Sequence, residues 1–118
     1  MEVEAFFLGH VDSQAIFDVL HRLIDSIGPA EMRCTKSQVS FRRRKAFAWA
    51  WMPGQYRRGK NAPLVLTLSF RERNESPRWK SIVEPSSGGY THHLELYSPD
   101  EIDGEVVNWL ETAWAQAE

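Results

Sequence analysis

Apolar residues recur at helical spacing early in the chain: Ile16, Phe17, Leu20, Leu23, Ile24 and Ile27 line one stripe. That spacing predicts a helix over about 12–27 with one buried face. Asp12 is placed to cap it. Gly28 and Pro29 end it, the glycine offering a left-handed exit and the proline refusing another turn. The same period returns in Ile102, Val106, Trp109, Leu110, Ala113 and Ala117, with Trp114 beside them. Ser98, Pro99 and Glu101 make a capping-box start for this closing helix, and Asp100, Glu101 and Asp103 suit the positive end of its dipole.

Between the helices the period drops to two. Val39, Phe41, Phe47, Trp49 and Trp51 share one parity, and Ser40, Arg42, Ala46, Ala48 and Ala50 the other. A hairpin turning over Arg43, Arg44 and Lys45 would pair Phe41 with Phe47 and Val39 with Trp49, with all large rings on one face. The tip lacks the usual glycine, which leaves a bulge or a longer turn open. Leu64, Leu66, Leu68 and Phe70 alternate with Val65, Thr67 and Ser69. Tyr90, His92, Leu94 and Leu96 alternate with Thr91, His93, Glu95 and Tyr97. A short strand fits 32–35, an edge segment or helical turn fits 77–83, and 53–54, 57–61 and 85–89 read as turns or a flexible connection. The expected fold is therefore α+β: a two-layer sandwich with two terminal helices on one face of a four- to five-stranded, mainly antiparallel sheet.

Composition narrows the class. A length of 118 residues fits one domain spanning 1–118, and 42% hydrophobic with 25% charged residues is ordinary for a globular protein. No apolar run is long enough to span a bilayer, the amino terminus lacks the basic start of a secretory signal, and Cys34 is the sole cysteine. The expectation is a cytoplasmic protein with no membrane partner.

Charge is segregated. Ten Lys and Arg residues lie between Glu31 and Glu72 with no carboxylate among them: Arg33, Lys36, Arg42, Arg43, Arg44, Lys45, Arg57, Arg58, Lys60 and Arg71. A field of one sign attracts anions. By parity, Arg42, His93 and Glu95 share the sheet face away from the helices, where the alanines would leave room. There arginine's planar fork could take a carboxylate or phosphate in two-point fashion. The plainer reading is a solvated face on which Arg42 and Glu95 pair.

The run Arg42, Arg43, Arg44, Lys45 suggests a phosphate-tracking tip, with Trp49, Trp51 and Tyr56 nearby as stacking partners and Arg57, Arg58 and Lys60 as further cations. Against it, both tryptophans fall on the apolar parity, and a solvated hairpin end reads as well. His92 and His93 point to opposite faces of a strand, so they cannot readily share a metal ion, and one of them belongs to the core. His93 with Glu95 could act as an acid–base pair, as could many polar pairs two residues apart. The residues at 86–89 are too short a glycine signal for a phosphate loop.

The strings GPAEMRCTKSQVSFRRRKAFAWAW and SPRWKSIVEPSSGGYTHHLELYSPDEIDGEVVNWLETAW resemble the bacterial domain of unknown function 5655 family over nearly the whole chain. Thr35-Lys36-Ser37, Phe41-Arg42, Phe47, Pro77-Arg78, His92-His93 and Ser98-Pro99 carry the likeness. Trp114 stands where that family usually has tyrosine. The resemblance implies short cytoplasmic proteins or terminal domains without an established activity. It also implies Lys36, Arg42, Arg78, His92 and His93 as candidate residues.

Taken together, the sequence points to a small binding module. Lys36, Arg42, Arg78, His92, His93 and Glu95 are the candidate ligand-binding residues, with no metal and no cofactor. An anionic small molecule is the expected partner. Nucleic acid at the basic hairpin, an enzyme built on His93 and Glu95, and a homodimer through an open apolar face are the alternatives.

Overall fold

A computed structural model of the chain describes residues 1–84 and 89–118, so most of the connection expected at 85–89 lies outside the described residues. The helices are α1 (Val3–Phe6), α2 (Val11–Ile27) and α3 (Gly104–Gln116). The strands are β1 (Glu31–Cys34), β2 (Val39–Arg42), β3 (Ala46–Trp51), β4 (Leu64–Phe70), β5 (Ser81–Val83) and β6 (Tyr90–Leu96). Six strands form one antiparallel sheet in the order β1-β2-β3-β4-β6-β5, with the helices packed on one face. The architecture is the α+β sandwich expected, with six strands rather than four or five. The segment at 77–83 supplies the extra edge strand β5. No helix among the described residues is long and apolar enough to cross a membrane.

The helix stripes become the upper half of the core. Ile16, Phe17, Leu20 and Ile24 of α2 and Val106, Trp109, Leu110 and Ala113 of α3 bury against Val39, Phe41, Leu64, Leu66, Leu68, Leu94 and Leu96 of the sheet. Each buried Val, Leu, Ile or Phe among them contributes about 1.5–3 kcal/mol over leaving it in water. Two helix boundaries differ from expectation. His10, without a side-chain cap bond, precedes α2, and Asp12 lies in its first turn. Ser98 and Glu101 do form a capping box, but around a 3₁₀ turn (Pro99–Glu101). The chain then breaks, and Asp103 caps α3 by accepting from the Val106 N–H at 3.1 Å.

The largest departure is in β3. Val39 pairs with Ala50, Ser40 with Trp49 and Phe41 with Ala48, then Arg42 with Ala46, so Phe47 is an extra residue in a bulge. Arg43, Arg44 and Lys45 all keep negative φ, so the glycine-free tip has no left-handed residue to absorb its irregularity. The correction falls one residue into β3 instead. Phe47 and Ala48 both face the helices, and the phase of the strand reverses beyond them. Ala48 and Ala50 are completely buried, whereas Trp49 and Trp51 stand on the opposite face. The expected registers Phe41–Phe47 and Val39–Trp49, the alanine-lined open face and the core position of both tryptophans are therefore corrected.

Gly28 also departs from expectation. Its φ of 165 is extended backbone, not a left-handed exit. A Cβ there would lie 2.4 Å from the Trp114 ring, so the missing side chain is required by packing. Trp114 donates its indole N–H to Pro29 O at 3.0 Å, and the Arg43 guanidinium lies 3.6 Å from its ring centroid.

Candidate functional site

The reversed phase of β3 turns the open sheet face aromatic. One row across the sheet runs Arg33, Ser40, Trp49, Thr67, His93, Ser81, and the next carries Trp51, Val65 and Glu95. After β3 the chain makes a 3₁₀ turn (Pro53–Gln55) and presents Tyr56, whose ring centroid lies 6.3 Å from that of Trp51. The Tyr56 hydroxyl donates to Ser37 O at 3.2 Å, tying this loop to the β1–β2 turn. The result is a groove of about 430 Å³ lined by Ser37, Gln38, Trp49, Trp51, Tyr56, Thr67, Thr91 and His93. It is mostly apolar with a few converging polar groups, as small-molecule sites usually are.

Its floor holds a hydrogen-bonded chain. Trp51 donates from Nε1 to Thr67 Oγ1 at 2.9 Å, and Thr67 Oγ1 lies 2.8 Å from His93 Nδ1. The Trp51 and His93 rings meet edge to face at 6.2 Å. Burial lowers the His93 pKa from its ordinary value, and the nearby positive charge of Arg57 lowers it further. His93 is therefore neutral at physiological pH, within electrostatic reach of the Arg57 cation.

The residues expected to act together are dispersed. His93 lies on the groove floor. Glu95 shares its face, but its contact is with the Tyr97 hydroxyl at 3.5 Å, and no hydrogen bond joins it to His93 among the described residues. Lys36 is exposed in the β1–β2 turn next to the lining residue Ser37. Arg42 is exposed on the same sheet face, yet β2 stands three strand spacings from β6, about 14 Å. Its guanidinium bonds back to Arg44 O at 3.2 Å, so neither a shared site with His93 nor a pair with Glu95 forms.

His92 and Arg78 lie on the helix side. His92 is fully buried, accepts the Asn74 N–H on Nε2 at 2.9 Å and faces Tyr90 O through Nδ1 at 3.2 Å. Arg78 donates to both Asp103 oxygens (3.0 and 3.1 Å), to Glu105 (2.8 Å) and to Glu101 O (3.1 Å). It fastens the loop before β5 to the start of α3, and the hydrogen bond to Glu105 raises its pKa.

The basic tip is largely explained by α3. The Arg44 and Lys45 N–H groups donate to Ala117 O (3.0 and 3.1 Å), Arg43 donates to Trp114 O (3.0 Å), and the Arg71 N–H donates to the Gln116 side chain (2.8 Å). Cations and donors thus gather at the negative end of a helix. A recess of about 360 Å³ beside Lys45, Arg71 and Gln116 adjoins this cap, and there Gln116 is engaged by the Arg71 backbone and side chain.

Trp49, Trp51 and Tyr56, expected at most as stacking partners of the basic tip, and Arg57, expected as one of its cations, were not foreseen in company with His93. The available signal was chemical: a core tryptophan needs an acceptor for its indole N–H, and Thr67, on the polar parity of β4, is one. Neither a curated protein nor a solved structure matches the chain. The family model described as "Domain of unknown function (DUF5655)" matches residues 3–117, nearly the whole chain, and the chain accordingly belongs to that family.

Proposed function

We propose that this domain is a binding module for an anionic small molecule carrying a planar ring, seated in the groove on the open sheet face. The observation that carries this reading is the recessed Trp51–Thr67–His93 chain with Arg57 beside it. A solvated sheet face has no need of two tryptophans and a tyrosine around an organised polar floor. The rings offer a stacking surface, and Arg57 with Lys36 at the rim offers charge for a carboxylate or phosphate. A single cysteine, partly buried and with its pKa raised chiefly by burial, makes a reducing cytoplasmic setting part of the same reading.

Titration calorimetry against aromatic carboxylates and nucleoside monophosphates tests it. The expected result is binding by at least one class, weakened about ten-fold by Arg57→Ala and lost on Trp49→Ala. Silence across the whole panel, or equal affinity in both variants, would overturn the reading.

A further inference from the structure

Thr67 Oγ1 has two partners in the groove floor, and together they determine where its proton points. The indole N–H of Trp51 can only donate, so Thr67 accepts it at 2.9 Å. The remaining contact is to His93 Nδ1 at 2.8 Å. If Nδ1 carried the histidine proton, Thr67 would accept twice and its own hydroxyl hydrogen would have no acceptor among the described residues. Thr67 is only 5% exposed, which makes such an orphan donor costly. The hydroxyl therefore donates to Nδ1, and the neutral imidazole holds its proton on Nε2.

Nε2 has no hydrogen-bond partner among the described residues, and none of their buried polar side-chain atoms is left unpaired, so Nε2 reaches solvent. His93 itself lines the groove. Its polar neighbours there, Gln38, Thr91 and Ser37, carry amide or hydroxyl groups that can turn to donate or accept. His93 is fixed as a donor by its partners, and the Trp49 indole N–H, which lines the same groove and can only donate, is the other fixed donor there.

Resting on the binding-module reading above, we infer that the groove takes planar aromatic acids with a hydrogen-bond acceptor at the ring edge. His93 Nε2–H is the specificity determinant, and Thr67 is the residue that positions it. A ring presenting only C–H there would bury the imidazole N–H without a partner. A ring nitrogen or carbonyl would satisfy it. The same geometry makes His93 a reader of the ligand rather than a base toward it, since the lone pair is turned to Thr67.

The test compares quinoline-3-carboxylate with naphthalene-2-carboxylate, which share shape and charge and differ by one ring nitrogen. Titrations run at a pH above the histidine range should show the quinoline acid binding on the order of ten-fold more tightly. The preference should vanish in His93→Phe and shrink in Thr67→Val. Equal binding of both acids would overturn the inference and leave the binding module standing. Binding of neither would overturn the inference, and the module with it only where the nucleoside monophosphates and the other aromatic carboxylates are silent too. Independently of any variant, ring-nitrogen chemical shifts of His93 in the unmodified protein should place the proton on Nε2. A proton on Nδ1 would overturn the assignment.

Discussion

Gly28 and His92 show how single positions are set by what surrounds them. At Gly28 the backbone is extended and open to any residue, but the Trp114 ring fills the space a side chain would need. Gly28→Ala should therefore cost about 1–3 kcal/mol by overpacking. Urea denaturation measures it, and an unchanged midpoint would show that the indole can move aside.

His92 is neutral by construction, because Nε2 accepts the Asn74 N–H and burial lowers its pKa from the ordinary value. In the unfolded chain it takes a proton as pH falls below about 6.5, while the folded chain resists. Stability attributable to His92 is thus present above that range and declines as pH drops through it. His92→Phe should flatten this acid limb in pH-dependent melting. It should also lower stability at neutral pH by about 1–3 kcal/mol, since Asn74 loses its acceptor.

At the level of elements, the β2–β3 tip and the end of α3 form one joint. Arg43 contributes both a hydrogen bond to Trp114 O and a cation over the Trp114 ring. Arg43→Ala should cost about 1–2 kcal/mol. Arg44→Ala, which leaves its capping backbone N–H in place, should stay within about 0.5 kcal/mol. Thermal melts of the two variants decide this, and equal effects would contradict the joint.

This joint also marks the limit of what could be read from the chain. The helix stripes and the alternation in β2, β4 and β6 are local, so the residues themselves display which side goes in. The phase of β3 depends on how a glycine-free tip resolves its turn, and one inserted residue moved Trp49 and Trp51 out of the core. Parity likewise says that Arg42 and His93 share a face, but not that β3 and β4 stand between them. The pairing order of strands is a property of the whole sheet, and no periodicity reports it. That His93 lies on the open face was legible, while its grouping with Trp49 and Trp51 was hidden behind the bulge.

The whole molecule separates two kinds of chemistry by a single sheet. On the helix side, charge is consumed in structure: Arg78 fastens α3 at one end and the basic tip caps it at the other. On the open side, Arg57 and Lys36 are exposed and follow or precede in the chain Tyr56 and Ser37, which line a recess. A ligand held by one or two such cations should lose affinity with salt at a shallow slope, on the order of one charge. Titrations across ionic strength would measure that slope, and a steep one would instead indicate a polyanion lying over the tip and groove together.

The same partition sorts the indoles into optically distinct populations. Trp79 and Trp109 are buried with their rings 4.2 Å apart, next to His92 and Phe70, whereas Trp49 and Trp51 are only partly covered. A polar quencher such as iodide should reach the second pair while the protein stays folded and the first only after it opens. Trp114, the fifth indole, is also partly covered but lies under Arg43 outside the groove, and it adds a background that a ligand there leaves unchanged. Intrinsic fluorescence can therefore follow occupancy of the groove and integrity of the core as two signals from one unlabelled chain.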